Sequence, residues 1–432
     1  MATEGELDID DLAADSSGVG CDAQGKRIFV PGALPGERVG YRVLRRRRKR
    51  DEAELAALLR PSLARVDPRC AHFGVCGGCA LQHLEPQAQV EHKQQHLFST
   101  LERIGGVISR RRLAPITGAR WGYRRRARLG VKRVAKKGTT LVGFRERRSP
   151  FVAVLDACHT LVPEVGMRLP ELRELVDGLS IRERLPQIEV AAGDNGTALV
   201  LRVLAPPSAA DRQRLLAFAQ DTGLWLYLQP GGPASVARLQ DASPALWYDL
   251  PEFDARIGFA PTDFVQIHAE VNAHMVSQAL RLLDPGADDR VLELFSGIGN
   301  FTLPLARRAG RVTAVEGEAD MVMRAAANAR SNGLDNVDSR MGDLFLAPAQ
   351  DKPWGAADLV LLDPPRPGAL EVLPAGAASG ARRVVYCSCH PATLARDAAL
   401  LVRKYGYDLE AAGLVDMFPH TGHAEAMALF TR

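Results

Sequence analysis

The sequence predicts an α/β protein built on a C-terminal, doubly wound parallel sheet, with a small β-barrel at the N-terminus and a mixed α/β region between them. Three observations carry this. After about Phe259, apolar strands and amphipathic helices alternate at lengths that require βαβ crossovers with helices on both faces of a sheet. Residues 1 to about 65 hold short apolar strands punctuated by Pro31-Gly32 and Pro35-Gly36, which mark tight connections. Residues 110 to 250 mix strand patterns with one or two helices. The parts are therefore read as 1–63, 64–258 and 259–432.

Taken in order, "GKRIFVPGALPGERVGYRVL" supplies barrel strands that run into "RRRRKR", Arg45 to Arg50. A cysteine-rich patch extends from Arg69 to Leu84, followed by a polar helical run from Glu85 to about Ile104. The middle region offers the strands "ALVLRVLA" and "LWLYLQP" and the helices "VGMRLPELRELVDGL" and "SAADRQRLLAFAQ". The last region reads as helix "VNAHMVSQALRLL", strand "RVLELF", a helix, strand "RVTAVEG", helix "ADMVMRAAANARSNG", a strand near "DSRMGD", strand "ADLVLLDPP", a helix and strand "RRVVYCSC". The closing "YDLEAAGLVDMF" and "AEAMALFTR" are expected as an antiparallel pair at the sheet edge.

The chain has 432 residues, 46% of them apolar, enough for two or three cores. The acidic start and the lack of any run of about 18 apolar residues argue against export or a membrane anchor. Seven cysteines, an odd and uneven set, point to a reducing cytoplasm rather than a disulfide framework. The net charge of +4 conceals a concentration: residues 101–150 hold 16 Lys/Arg against Glu102 and Glu146. That suggests a polyanionic partner. A monomer is expected.

In open α/β sheets, ligands sit beyond the carboxyl ends of the strands. The first such strand runs into "ELFSGIGNF", where Gly297 and Gly299 let a ligand approach the backbone and Asn300 opens a helix. Glu316 ends the next strand, about 20 residues after the glycines, suited to ribose hydroxyls, and Asp343 ends the third, suited to an adenine edge. The third glycine of a dinucleotide fingerprint is missing, Thr302 standing there, which favours a cofactor without a pyrophosphate: S-adenosylmethionine. Asp363, in "LLDPPRPG", sits on a turn stiffened by two prolines. Cys389 ends the fifth strand beside it. A thiol next to a methyl donor suits carbon 5 of uracil, which takes a methyl group only after a thiolate has added at carbon 6. A base must then remove the carbon 5 proton, and Glu425 in "HAEAMALF" is the candidate. Cys387, inside the strand, reads as a buried inert thiol. Cys70, Cys76 and Cys79, with Cys158 as a distant fourth, suit either zinc or an iron-sulfur cluster.

Together these residues resemble the RNA uracil-C5 methyltransferase family, along essentially the whole chain, and within it the branch acting on 23S rRNA. The resemblance implies a TRAM (OB-like) barrel at residues 1–63 and a [4Fe-4S] cluster on Cys70, Cys76, Cys79 and Cys158. It also implies a Rossmann-like S-adenosylmethionine domain at the C-terminus. Gln266, Phe295, Asn300, Glu316, Asp363 and Asp343 match cofactor positions, Cys389 the nucleophile and Glu425 the base. The chain departs mildly: "ELFSG" stands for Asp-Leu-Phe-Cys-Gly and "SCHP" for Ser-Cys-Asn-Pro, which puts His390 beside the nucleophile. The basic segments, with Trp121 and Tyr123 nearby, are then expected to neutralise RNA phosphates, the target being an unpaired or flipped uridine. Competing readings are a tRNA uracil-C5 methyltransferase and a non-catalytic RNA-binding iron-sulfur protein.

Overall fold

The computed structural model describes residues 4–240, 245–347 and 353–432. Backbone contacts divide the chain into two compact units. The first comprises the chain up to His96 with Phe144–Leu155 and Phe418–His423. The second comprises Leu97–Gly143, Asp156–Met417 and Ala424–Arg432.

In the first unit, six strands form one sheet in the order Gly5–Asp8, Arg38–Arg46, Arg50–Arg60, Arg27–Pro31, Ser17–Cys21, Asp11–Leu12. The long hairpin Arg38–Arg46/Arg50–Arg60 slips register at three points, and such bulges bend and twist a strand. The sheet curls until Gly20 meets Leu7 and Asp8 on the opposite side. A Cβ at Gly20 would collide with the Asp8 carbonyl oxygen and lie 2.8 Å from Leu7 Cγ, so only glycine allows that approach. The alternating inward residues Leu7, Ile9, Ile28, Val30, Val39 and Ala53 close over one another as a small core. The helix Pro86–Thr100 belongs to this unit up to His96 and to the second from Leu97, and a π-helical turn, Leu101–Gly105, follows it.

The second unit contains a six-stranded sheet in the order Ala237–Arg238, Trp225–Gln229, Thr197–Arg202, Gln187–Ala192, Arg126–Val134, Thr139–Gly143. Its helix Ala209–Thr222 starts at a capping box between Ser208 and Asp211 and stops at left-handed Gly223. The larger sheet has eight strands: Val337–Met341, Arg311–Glu316, Arg290–Leu294, Leu359–Leu362, Arg383–Ser388, Glu425–Thr431, Asp408–Val415 and Arg111–Arg112. The first five are parallel, and Glu425–Thr431 runs antiparallel between Arg383–Ser388 and Asp408–Val415. The closing pair is antiparallel as the sequence suggests, but it is not the outer edge: Arg111–Arg112 pairs parallel with Ala411 and Ala412 beyond it. The order reverses between Arg290–Leu294 and Leu359–Leu362, which opens a crevice at the carboxyl ends of those two strands. Tyr386, Phe430, Leu294 and Val360 fill the core beneath it. No helix among the described residues is long and apolar enough to cross a membrane.

Candidate active site

Register alone brings the strand-end residues into one row. Leu294 pairs with Val315 and with Leu362, and Leu362 with Tyr386. The next residues along these strands are therefore Phe295, Glu316 and Asp363, with Cys387 beside Asp363. Ser388 pairs with Ala426 across the antiparallel ladder, so Cys389 comes to lie opposite Glu425. Because Glu425–Thr431 runs the other way, its first residue joins the carboxyl ends of the parallel strands.

At the glycine loop, Phe295 adopts a left-handed φ of 64°, unusual for a bulky residue, and Gly297 and Gly299 follow with φ of 56° and 104°. A Cβ on Gly297 would meet nothing within 4 Å, so the space beside that backbone is open. Glu316 Oε2 accepts from the Gly297 N–H at 2.9 Å, and Oε1 accepts from the N–H groups of Gly317 and Glu318 at 2.7 and 3.2 Å. Those contacts fix the carboxylate at the loop. The Asn300 side chain is held in a reciprocal amide pair with Asn272 at 2.8 and 2.9 Å and accepts from the Tyr248 hydroxyl at 2.9 Å. Asp343 accepts from the Phe345 N–H at 2.9 Å. Around it Met341, Phe345 and Leu346 are exposed, and the Phe345 ring meets Phe295 edge-on at 6.0 Å. Gln266 is half-buried in the loop that leads into the helix Ala269–Leu283.

The electrostatics are those of a cleft crowded with acids. Burial pushes the Asp363 carboxyl up to about 7. Burial, with the Asp363 charge adding, pushes Glu425 up to about 8. The Cys389 thiol is raised to about 11 by burial and by Glu425 and Asp363, with Arg366 opposing. Cys387 is 2% exposed and its thiol is pushed well above the ordinary value, chiefly by burial. Such an arrangement is poised for a cationic ligand, which would offset the mutual repulsion of the carboxylates.

Three features of the site escaped the sequence reading. Glu293 is 1% exposed and is raised to about 8, mainly by burial, against a 2.6 Å hydrogen bond from Thr302 Oγ1 and with Asp363 and Glu316 adding. Its Oε1 is a buried acceptor without a hydrogen-bond donor. The available signal was a carboxylate inside the apolar run "RVLELF". Asn272 and Tyr248, which hold Asn300, carried no such signal. Asp397, fully buried, accepts from the Tyr386 hydroxyl at 2.7 Å and the Ala369 N–H at 2.8 Å on Oδ2, and from Arg396 on Oδ1. It thereby ties the loop that follows Asp363 to the strand that carries Cys389.

The basic segments divide. Residues 44–50, at the hairpin tip, are all exposed. Four of the 16 basic residues of 101–150 are paired within the fold: Arg110 with Asp408, Arg125 with Asp194, Arg128 with Glu189 and Arg133 with Asp177. Tyr123 is buried and stacked on His268 at 4.8 Å, so it offers no face to a base.

The four cysteines of the expected ligand set fall in both units. Cys70, Cys76 and Cys79 share one loop of the first unit, and Cys158 belongs to the second. All seven cysteines are free of disulfides. Among the described residues no group of three or more His, Cys, Asp or Glu is arranged to hold a metal ion.

Residues 255–432 match the tRNA (Uracil-5-)-methyltransferase family. The chain is 54% identical over 430 residues to the 23S rRNA (uracil(1939)-C(5))-methyltransferase RlmD of Alkalilimnicola ehrlichii, covering 99% of this chain and 96% of that one. It is 49% identical over 440 residues to the protein of the same name from Burkholderia lata, covering 99% and 95%. The chain belongs to the RNA uracil-C5 methyltransferase family. A solved member, the Pyrococcus abyssi tRNA (uracil-54, C5)-methyltransferase in complex with S-adenosyl-L-homocysteine, is 22% identical and superposes with a TM-score of 0.75, covering 99% of this chain and 100% of that one. It shows that the family's fold is shared along the whole length.

Proposed function

We propose that this protein transfers a methyl group from S-adenosylmethionine to carbon 5 of a uridine in 23S rRNA, with Cys389 as nucleophile and Glu425 as base. The observation that carries it is the juxtaposition of Cys389 with Glu425 and Asp363 at one strand edge, in a chain half identical to 23S rRNA uracil-C5 methyltransferases.

The residues present suit the cofactor. Open space beside Gly297, the backbone-fixed Glu316 carboxylate, and the exposed apolar surface around Asp343 match a glycine-loop, ribose and adenine sequence of contacts. The raised Asp363 carboxyl at the adjoining strand end suits the cofactor's positive charge. Phe295 and Asn300 shape the loop, and we assign Gln266 to the rim of the same site. When bound, S-adenosylmethionine supplies an electrophilic methyl group to carbon 5.

The chain's own residues do the rest. Cys389 loses its proton to solvent, which leaves Glu425 ionised for the later step, and its sulfur forms a bond to uracil carbon 6, moving the C5=C6 electron pair toward carbon 5 and the O4 enolate. A thiol held near 11 rests protonated and unreactive, and it ionises when positive charge enters the cleft and offsets Glu425 and Asp363. After methylation, the Glu425 carboxylate accepts the carbon 5 proton. The C–H pair restores C5=C6, the C6–S bond breaks, and the sulfur leaves with its electrons. Because the base must come within reach of Cys389, the uridine is unpaired or flipped out of its stack.

The exposed hairpin tip at Arg45–Arg50 supports phosphate contacts in residues 1–63, while 64–258 and 259–432 are assigned to RNA and cysteine-site functions and to methyl transfer. We place the activity in the cytoplasm, where its RNA is found. Four thiols outside any disulfide, and a Gly78 N–H donated to Cys76 Sγ at 3.4 Å, suit a [4Fe-4S] cluster on Cys70, Cys76, Cys79 and Cys158. No step of the reaction passes through it. Iron and sulfide in anaerobically purified protein test that assignment, and zinc in their place would overturn it. The function is tested by nucleoside analysis of unmodified 23S rRNA and tRNA after incubation with S-adenosylmethionine. The expected product is 5-methyluridine in 23S rRNA. Product in tRNA alone, or 5-methylcytidine, would refute the reading.

A further inference from the structure

The loop Phe418–His423 joins the strand Asp408–Val415 to the strand that opens with Glu425, and it is packed with the first unit rather than with the sheet it connects. Two side chains from the helix Pro86–Thr100 hold it. Lys93, 1% exposed, donates from Nζ to the Phe418 carbonyl at 2.9 Å. Gln89, 3% exposed, accepts from the His420 N–H at 3.0 Å and donates to the carbonyls of Leu81 and Leu84 at 2.9 and 2.8 Å. The His420 carbonyl in turn accepts from the N–H groups of Ala80 and Leu81 at 2.8 and 2.9 Å. His420 itself sits at a left-handed φ of 65°, a conformation that costs a side-chain-bearing residue energy and persists only where its surroundings fix it.

We propose that Gln89 and Lys93 are positioning residues for the proton-removal step. A buried amide and a buried ammonium satisfying loop carbonyls and an N–H are expensive to arrange and strongly directional. Here they fix the six-residue span that ends two residues before Glu425, so they set where that carboxylate stands at the strand's first position. The other active-site groups enter the row from the ends of parallel strands in the second unit. Glu425 alone is delivered by this loop. Loosening the loop therefore leaves Cys389 addition and methylation intact and impairs proton removal from carbon 5, with elimination of the sulfur.

The inference rests on the proposed uracil chemistry, and the test separates the two. Full-length wild type, Lys93→Met, Gln89→Leu and Cys389→Ala are compared on 23S rRNA labelled with tritium at carbon 5, with S-adenosylmethionine. Methyl incorporation, tritium release and the RNA adduct that survives denaturant are followed. The two loop variants are expected to release tritium at least about tenfold more slowly, a part of what a positioned base provides. Their KM for RNA should stay within about twofold, and a methylated covalent adduct should accumulate that Cys389→Ala never forms. Two variants are used so that a failure of one to fold leaves the other to decide. Adduct formation itself reports a folded active site. Tritium release at the wild-type rate, or methyl incorporation and release falling together without adduct, would overturn the positioning role. No release by wild type would instead overturn the underlying uracil reading.

Discussion

Lowering the pH from 7.5 to 6 should weaken the binding of S-adenosylmethionine by close to an order of magnitude, and Asp363 should be the cause. The cofactor is a cation at its sulfur, so it favours the ionised form of a carboxyl that burial holds at about 7. The sign follows from linkage: a ligand that needs the deprotonated acid binds more tightly as pH rises through that pKa. The apparent Kd scales as one plus the ratio of protonated to ionised acid, about 11 at pH 6 and about 1.3 at pH 7.5, a change of roughly eightfold. Above pH 7.5 the cofactor's own amine begins to lose its proton, since an α-amino group titrates at about 7.7 to 8.0, so the window stops there. Isothermal titration across the range reads the slope directly. Asp363→Asn should bind more weakly at pH 7.5 and lose the slope. S-adenosylhomocysteine, whose sulfur is neutral, should show less of it. A Kd that moves less than twofold over the range, or a slope that survives in Asp363→Asn, would refute the argument.

Other outcomes follow from packing and charge. Tyr386→Phe removes the 2.7 Å donor from fully buried Asp397 and should cost about 2 kcal/mol in urea unfolding, the usual range for a hydrogen bond to a charged group; a loss under about 0.5 kcal/mol would contradict the role given to that contact. Glu37 is fully buried, and Arg65 with the Leu34 and Ser62 N–H groups overcomes the effect of burial and holds its carboxyl below the ordinary value. Its contribution is thus present at neutral pH and fades as pH falls through that lowered value, so Glu37→Gln should destabilise clearly at pH 7 and much less under acid conditions, as read from urea midpoints at both pH values. Gly20→Ala forces a methyl group against the Asp8 carbonyl oxygen and Leu7 and should cost about 1 to 3 kcal/mol of overpacking, lowering the thermal midpoint. An unchanged midpoint would mean that the strands can separate at that point.

The parallel sheet and the row of strand-end residues were legible because both are local. An apolar run of four to six residues followed by a glycine, carboxylate or thiol tells where a strand stops, and the topology rule tells what lies beyond it. What escaped is set by distant parts of the chain. Arg111–Arg112 is too short to show any period, and only its pairing with Ala411 and Ala412 makes it a strand. Within the basic run of 101–150, the pairing of Arg110, Arg125, Arg128 and Arg133 left no local trace because Asp408, Asp194, Glu189 and Asp177 lie remote in sequence. Trp121 and Tyr123 looked available for stacking, but His268 already covers Tyr123. Glu293 lies inside its strand, level with Ala314 and two residues short of the row that holds Glu316, and that depth makes it a buried acid. The attachment of Phe418–His423 to a helix more than 300 residues earlier left no trace in local pattern.

Cys389, rather than Cys387, is proposed to make the bond to uracil. That assignment is tested most directly by tritium release from carbon 5 of labelled uridines in unmodified 23S rRNA, with S-adenosylmethionine, for wild type, Cys387→Ala and Cys389→Ala. Release is expected from wild type and Cys387→Ala and none from Cys389→Ala. Release that survives the loss of Cys389, or that disappears with Cys387 in a protein that still binds RNA, would contradict it.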